Sequence, residues 1–264
     1  MRLPIYQVDA FTDRLFGGNP AAVCPLERWL PDASMQAIAA ENNLAETAFF
    51  VREGHGYLLR WFTPEVEVDL CGHATLASAH IVFQRLEPAR TEVSFRTLKA
   101  GVLNVSRRGE ALIMDLPARP PLPTADVPGL VAALGGVVPR EILAARDHLV
   151  VYEHAADVAA LKPDMAALGK LPCWSVIATA PGERPVDFVS RFFAPRQGIP
   201  EDPVTGSAHC TLTPYWATRL GKTRLEARQI SKRGGVLTCT LKGDRVALEG
   251  RAVLYLEGAI TVSP

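Results

Sequence analysis

The sequence has no excess of charge of either sign. Its 264 residues carry 28 basic and 28 acidic side chains, so the overall balance offers no positive surface for a phosphate backbone and argues against a nucleic-acid partner held by electrostatics. Cysteine is sparse and unpatterned. Cys24, Cys71, Cys173, Cys210 and Cys239 are widely spaced and form no C-x-x-C pair, which argues against a disulfide framework or a zinc knuckle. Four of the five read as small buried apolar residues. No stretch approaches the roughly 18 uninterrupted apolar residues of a membrane span. The opening Met1-Arg2-Leu3-Pro4-Ile5-Tyr6-Gln7-Val8-Asp9 lacks the apolar core of a signal peptide, so the cytoplasm is the expected location. G-x-G-x-x-G and P-loop motifs are both missing, and no cofactor is expected. His73 and His80 lie on one predicted helix with no third ligand at suitable spacing, so no metal site is expected either.

What is present reads as an ordered globular chain with 48% apolar residues and with 21 Pro and 20 Gly dispersed along it. Ile5 to Phe11 and Ala21 to Cys24 have the pattern of strands about a turn at Gly17-Gly18-Asn19-Pro20. Pro31 to Ala40 reads as a helix, Thr47 to Arg52 and Tyr57 to Phe62 as strands about a Gly-His-Gly turn. Gly72 to Phe83 reads as a helix apolar nearly all round, which must be wrapped by other structure. Three further strands follow, at Glu92 to Arg96, Gly101 to Arg107 and Ala111 to Leu116.

The pattern then restarts. Leu149 to Tyr152 matches the strand at Ala21, Lys162-Pro163-Asp164-Met165 echoes Leu30-Pro31-Asp32, and Trp174 to Thr179 echoes Thr47 to Val51. Arg191-Phe192-Phe193-Ala194-Pro195 repeats Arg60-Trp61-Phe62-Thr63-Pro64, and each is followed by an acidic stretch, a tight Gly turn and a helix. Five landmarks in one order indicate an internal duplication. The expected fold is α+β, with two pseudo-symmetric lobes that each wrap an antiparallel sheet around a central apolar helix. The expected divisions are an N-terminal lobe at 1–116, a Pro-rich linker at 117–128 and a C-terminal lobe at 129–264, whose last strand can pack on the N-terminal lobe. Such lobes are expected to face each other across a cleft, with both Gly-led helix N-termini offering unpaired N–H groups to a small anion.

Three titratable residues accompany the duplicated turns. His73 follows Gly72 in the first helical turn, where the helix dipole is expected to favour neutral imidazole. Asp202 opens the turn before Gly206 and Ser207. Glu46 is an acid at the entry to an apolar strand, the type of placement a general acid/base needs. Pro214 falls inside the second helix and is expected to kink it.

Taken together, GGNPAAVC at Gly17 to Cys24, ETAFF at Glu46 to Phe50, RWFTP at Arg60 to Pro64, DLCGHATLASAH at Asp69 to His80 and EDPVTGSAH at Glu201 to His209 resemble the PhzF family of phenazine-biosynthesis-like isomerases. The resemblance covers essentially the whole chain. It implies the diaminopimelate-epimerase-like fold, a homodimer and cofactor-free proton transfer on a small anionic, carboxylated substrate. It also implies that Glu46 is the acid/base, with His73 and Asp202 as its catalytic companions. Gly72, His73, Gly206 and Ser207 would bind substrate. Ala45 departs from the family pattern, which often has Ser before the Glu. A two-thiol racemase or epimerase of related fold is the competing enzyme reading; Cys71 fits its first thiol, but Thr205 stands where the second would be. A non-catalytic small-molecule binder on the same fold is the other alternative.

Overall fold

In the computed structural model, which describes residues 1–262, the buried positions Tyr6, Val8 and Ala10 set one face of strand β1 (Arg2–Ala10). It is followed by β2 (Asn19–Leu26), α1 (Asp32–Asn42), β3 (Glu46–Glu53), β4 (Gly56–Phe62) and β5 (Glu67–Val68). Then come α2 (Gly72–Ile81), β6 (Glu92–Thr97), β7 (Val102–Arg108) and β8 (Ala111–Pro117). β1 pairs antiparallel with β2, β2 runs parallel to β3 through the α1 crossover, and β3 pairs antiparallel with β4. β4 takes β5 antiparallel and β6 parallel, the latter through the α2 crossover, and β6, β7 and β8 close as a meander. Nine of the ten residues of α2, all but His80, are buried, as its lack of a polar face requires. The helix ends two residues earlier than the sequence suggests, and one π-type turn, Val82–Leu86, continues it. α1 packs Met35, Ile38 and Ala39 against Cys24, Phe49 and Phe62 of the sheet.

The second half comprises β9 (Leu122–Pro123), α3 (Leu130–Ala133), β10 (Glu141–Ala144), β11 (His148–Val151), α4 (Ala155–Ala160) and α5 (Met165–Lys170). Beyond these lie β12 (Val176–Pro181), β13 (Phe188–Ala194), β14 (Ile199–Asp202), α6 (Gly206–Leu220), β15 (Arg224–Gln229), β16 (Gly235–Lys242) and β17 (Arg245–Gly250). Its pairings repeat those of the first half in kind and order. β10 to β11 is antiparallel, β11 to β12 parallel and β12 to β13 antiparallel. β13 takes β14 antiparallel and β15 parallel, with α6 as the crossover, and β15 pairs antiparallel with β16.

The repeat extends to single residues. Thr47 lies opposite Phe62 in the first half, and Val176 opposite Phe193 in the second. Arg60 grips Glu67 through two bonds of 2.7 Å and lies 5.2 Å over the Phe62 ring. Arg191 grips Glu201 at 2.7 and 3.0 Å and lies 4.9 Å over Phe193. In both halves a bidentate Arg therefore ties the long central strand to the short strand before the buried helix. By the same register, Glu46 corresponds to Ser175.

Two compact units result, with boundaries that differ from the expected ones. The first comprises Met1–Asp115 and the chain from Glu249 onward; the second is Leu116–Leu248. The stretch 117–128 is part of the second unit, not a free linker. Leu122 and Pro123 pair with β10, and Val127 enters a core with Leu130, Val150 and Phe193. The final strand, β18 (Ala252–Thr261), pairs antiparallel with β1 from Arg2 to Ala10, which removes an open edge from β1. No helix among the described residues is long and apolar enough to cross a membrane.

Candidate active site

In the first unit, three element starts deliver the site. Asn19 opens β2, Glu46 opens the neighbouring parallel strand β3, and Cys71 caps the N-terminus of α2, with Gly72 and His73 as its first residues. Gly18 makes the approach possible. Its φ is +61°, and a Cβ there would lie 2.1 Å from the Ala10 carbonyl oxygen, so only glycine can bring the chain from β1 into Asn19 in this way.

The side chains converge in a buried cluster. His73 Nε2 lies 3.0 Å from Glu46 Oε2, yet Oε2 accepts no aligned hydrogen bond. The contact is an ion pair rather than a directed bond. On the other side of the ring, the Asn19 amide Nδ2 is 3.0 Å from His73 Nδ1. An amide can present NH₂ or, when rotated, C=O, so Asn19 can meet either protonation state of the ring. The Cys71 thiol stands 3.5 Å from Nδ1 and 3.9 Å from Nε2. Asn19 is fully buried, and Glu46, Cys71 and His73 are each less than a tenth exposed.

This environment reverses the expected state of His73. Burial pushes the imidazole down, but the adjacent acids Cys71 and Glu46 outweigh it and hold the ring well above the ordinary histidine value. With Cys71 protonated, the Glu46 carboxylate supplies the contact charge that opposes the helix dipole and favours the protonated ring. Cys71 is pushed up to about 11, first by burial and then by the Glu46 charge, which leaves a neutral thiol instead of a nucleophile. Spacing along α2 offers His73 no metal-binding companion beyond His80; across elements, the structure groups His73 with Cys71 and Glu46, their donor atoms all within 4.8 Å of one another.

The second unit builds a different cluster at the start of α6. Thr205 takes the N-cap position that Cys71 holds in α2. Its hydroxyl donates to Asp202 Oδ2 at 2.5 Å. Gln229, fully buried, accepts the Thr205 N–H at 2.9 Å and donates to the Asp202 carbonyl at 2.7 Å. Thr205 and Gln229 thus lock Asp202 and the turn before Gly206. Ser207, in the first turn of α6, accepts a bond of 3.1 Å from Arg146 Nη2. Arg146 is itself held at 3.0 and 3.2 Å by both oxygens of Asp147, which is fully buried and also takes the Ser175 hydroxyl. A fixed guanidinium therefore joins the positive end of the helix.

Each unit thus assembles its share of the residues expected from sequence: Glu46, Gly72 and His73 in the first, Asp202, Gly206 and Ser207 in the second. Sequence reasoning missed Arg146, Asp147 and Gln229, and it quoted Asn19 without giving it a role. Asn19 had a usable signal, since a polar side chain locked behind two glycines at the head of an apolar strand must be answered by a partner.

The fold is the diaminopimelate-epimerase-like one, and the class of protein it defines here is an isomerase. The family model of the phenazine biosynthesis-like proteins, PhzC-PhzF, matches residues 8–258, and the chain belongs to that family. An uncharacterized isomerase of Pseudomonas aeruginosa is 54% identical over 260 residues, covering 98% of this chain and 99% of that protein. A second uncharacterized isomerase of the same organism is 51% identical over 264 residues, with both chains fully covered. The crystal structure of a PhzF-family protein from Enterococcus faecalis superimposes with a TM-score of 0.95 at 48% identity, covering 99% of this chain and 100% of that one.

Proposed function

We propose that the chain is a proton-shuttling isomerase in which Glu46 is the acid/base and the substrate is a small carboxylated molecule. The observation that carries this reading is Glu46 Oε2, buried, 3.0 Å from His73 Nε2 and bonded to no aligned donor. A carboxylate oxygen whose charge is balanced but whose lone pairs are not committed is free to take a proton from carbon. As a carboxylate, Glu46 removes a proton next to an activating group; as a carboxylic acid, it returns one elsewhere on the same molecule. His73 balances the charge of the carboxylate, and Asn19 orients the ring. Asp202, Gly206 and Ser207 are assigned to substrate binding, Asp202 through the turn it stabilises and the other two through first-turn N–H groups that have no intrahelical acceptor.

The register correspondence of Glu46 with Ser175 favours one acid/base over two. The neutral Cys71 thiol and Thr205 at the matching cap weigh against two-thiol inversion. The test is to incubate unsaturated cyclic amino and hydroxy acids with the protein in D₂O and follow them by NMR. Deuterium should enter the product at a new C–H position, and Glu46→Gln should lower the rate by about 10²–10⁴-fold while its melting curve stays that of a folded protein. Wild-type turnover by Glu46→Gln sinks the assignment. Binding with no change in any ligand after long incubation supports a non-catalytic binder instead.

A further inference from the structure

The Glu46, Cys71 and His73 cluster contains something the proton-transfer reading does not use. Cys71 brings a soft donor to a carboxylate and an imidazole, and those three donor types together suit zinc and its relatives; magnesium and calcium prefer oxygen alone. We propose that these three side chains form a binding site for a thiophilic divalent cation, and that the cation, once bound, blocks the acid/base by occupying Glu46.

Geometry carries the binding half of the proposal. A tetrahedral zinc with ordinary bond lengths places nitrogen and oxygen donors about 3.3 Å apart, and nitrogen and sulfur donors about 3.6 Å apart. The observed separations are 3.0 Å from His73 Nε2 to Glu46 Oε2 and 3.9 Å from His73 Nε2 to Cys71 Sγ, so the two edges at Nε2 need an adjustment of only about 0.3 Å, and the third edge, from carboxylate to thiol, is bounded by the 4.8 Å within which all three donors lie. Cys71 Sγ is closer to Nδ1, at 3.5 Å, but Nδ1 already faces the Asn19 amide at 3.0 Å. Nε2 is therefore the ring atom that faces a cation; binding displaces its proton and that of the Cys71 thiol to solvent, and Asn19 acts as the outer partner that fixes the orientation of a metal-binding histidine.

A second, independent observation is the carboxylate. The Glu46 side chain is 9% exposed, and its Oε2 accepts no hydrogen bond, an arrangement that leaves a buried acceptor open to a ligand. Among the described residues, no other trio of His, Cys, Asp or Glu donors comes together in this way. Three protein ligands leave a fourth position for water or a substrate oxygen, so occupancy does not require the cluster to open.

The binding half stands on this geometry alone; the blocking half rests on Glu46 being the acid/base. The probe is Co²⁺, titrated into the full-length, chelator-stripped and reduced protein and followed by absorption. A thiolate-to-cobalt charge-transfer band and the visible bands of tetrahedral cobalt should appear together and saturate in proportion to the chain. Cys71→Ser should abolish the charge-transfer band, Glu46→Gln should weaken binding by about tenfold or more, and Cys24→Ser and Cys239→Ser should leave the titration unchanged. If Cys71→Ser fails to fold, Glu46→Gln and His73→Gln carry the test by their titration curves. A wild-type protein without the band, or a band that survives in Cys71→Ser, overturns the metal site. The two readings fail separately. Co²⁺ binding weakened by Glu46→Gln, with solvent deuterium still incorporated at the wild-type rate, keeps the cation site and removes the acid/base; Glu46-dependent exchange without a cobalt band does the reverse.

Discussion

The backbone N–H of Arg119 donates to the carbonyl of Cys210 at 2.8 Å, and that carbonyl is the acceptor Pro214 leaves without its helical donor. Proline in a helix interior removes the bond to the residue four back, which ordinarily breaks or bends the helix. Here α6 is continuous from Gly206 to Leu220, because the stretch before β9 supplies the missing donor. The two residues should therefore be coupled. Arg119→Pro removes the donor and should cost about 1–3 kcal/mol of stability through an unsatisfied buried carbonyl, while Arg119→Ala, which keeps the N–H, should cost less. Adding Pro214→Ala restores an intrahelical donor and should recover part of the Arg119→Pro loss. Urea denaturation of the double-mutant cycle measures this, and strictly additive effects would contradict it.

Asn19 should matter for the state of His73 rather than for its presence. Replacing Asn19 with Ala leaves Nδ1 facing a void and frees the ring to rotate away from Glu46. The expected outcome is a folded protein whose turnover falls about 10-fold or more, in the range of lost orienting partners, with the His73 imidazole ¹⁵N resonances displaced in NMR spectra. Asn19→Asp keeps a hydrogen-bonding oxygen at the ring and should restore the resonances in part. Unchanged ¹⁵N shifts in Asn19→Ala would show that the ring is oriented by something else.

Which features could be read from the sequence follows from where their causes lie. The central helix was legible because Leu76 to Phe83 has no polar face, so its burial is a local fact. The duplication was legible because Arg60 and Arg191 each head the same aromatic pattern, and the structure shows each gripping an acid a few residues on. The charge state of His73 was not legible: it depends on Glu46, which is 27 positions away in sequence and meets the ring only where the start of β3 approaches the first turn of α2. Arg146 and Asp147 are adjacent charges in sequence, and only the fold reveals that Asp147 is fully buried and takes the Ser175 hydroxyl while Arg146 reaches Ser207. The placement of β18 was only half legible, since its composition suits many edges and topology alone selects β1.

Gly18 and Gly109 separate two costs that a glycine can hide. Both have left-handed backbones, with φ of +61° and +62°. A Cβ at Gly109 meets nothing within 4 Å, whereas one at Gly18 meets the Ala10 carbonyl oxygen at 2.1 Å and Thr12 Cγ2 at 2.8 Å. Gly109→Ala should lose only the backbone term, about 1 kcal/mol. Gly18→Ala should lose clearly more and should also reduce turnover, because the turn it distorts leads into Asn19. Thermal melts of the two variants side by side decide the matter, and equal losses would mean that the turn relaxes around the new methyl.

His209 makes the acid limb of stability predictable. The side chain is fully buried in α6; its Nδ1 donates to the Thr205 carbonyl at 2.8 Å, and its Nε2 has no hydrogen-bond partner. A proton added at Nε2 would be a buried, unpaired donor on a buried charge. Burial accordingly pushes this histidine down to about 4, against an unfolded value of about 6.5. Between these two values the unfolded chain binds more protons than the folded one, so stability rises with pH across that window. The contribution of His209 is complete above about pH 6.5 and is lost as pH falls towards 4, with a total on the order of 3 kcal/mol. His209→Asn retains an N–H for the Thr205 carbonyl and cannot titrate. Urea midpoints measured from pH 4 to 7 should therefore fall less steeply on acidification in the variant than in the wild type, and parallel curves would show that His209 takes up its proton without cost.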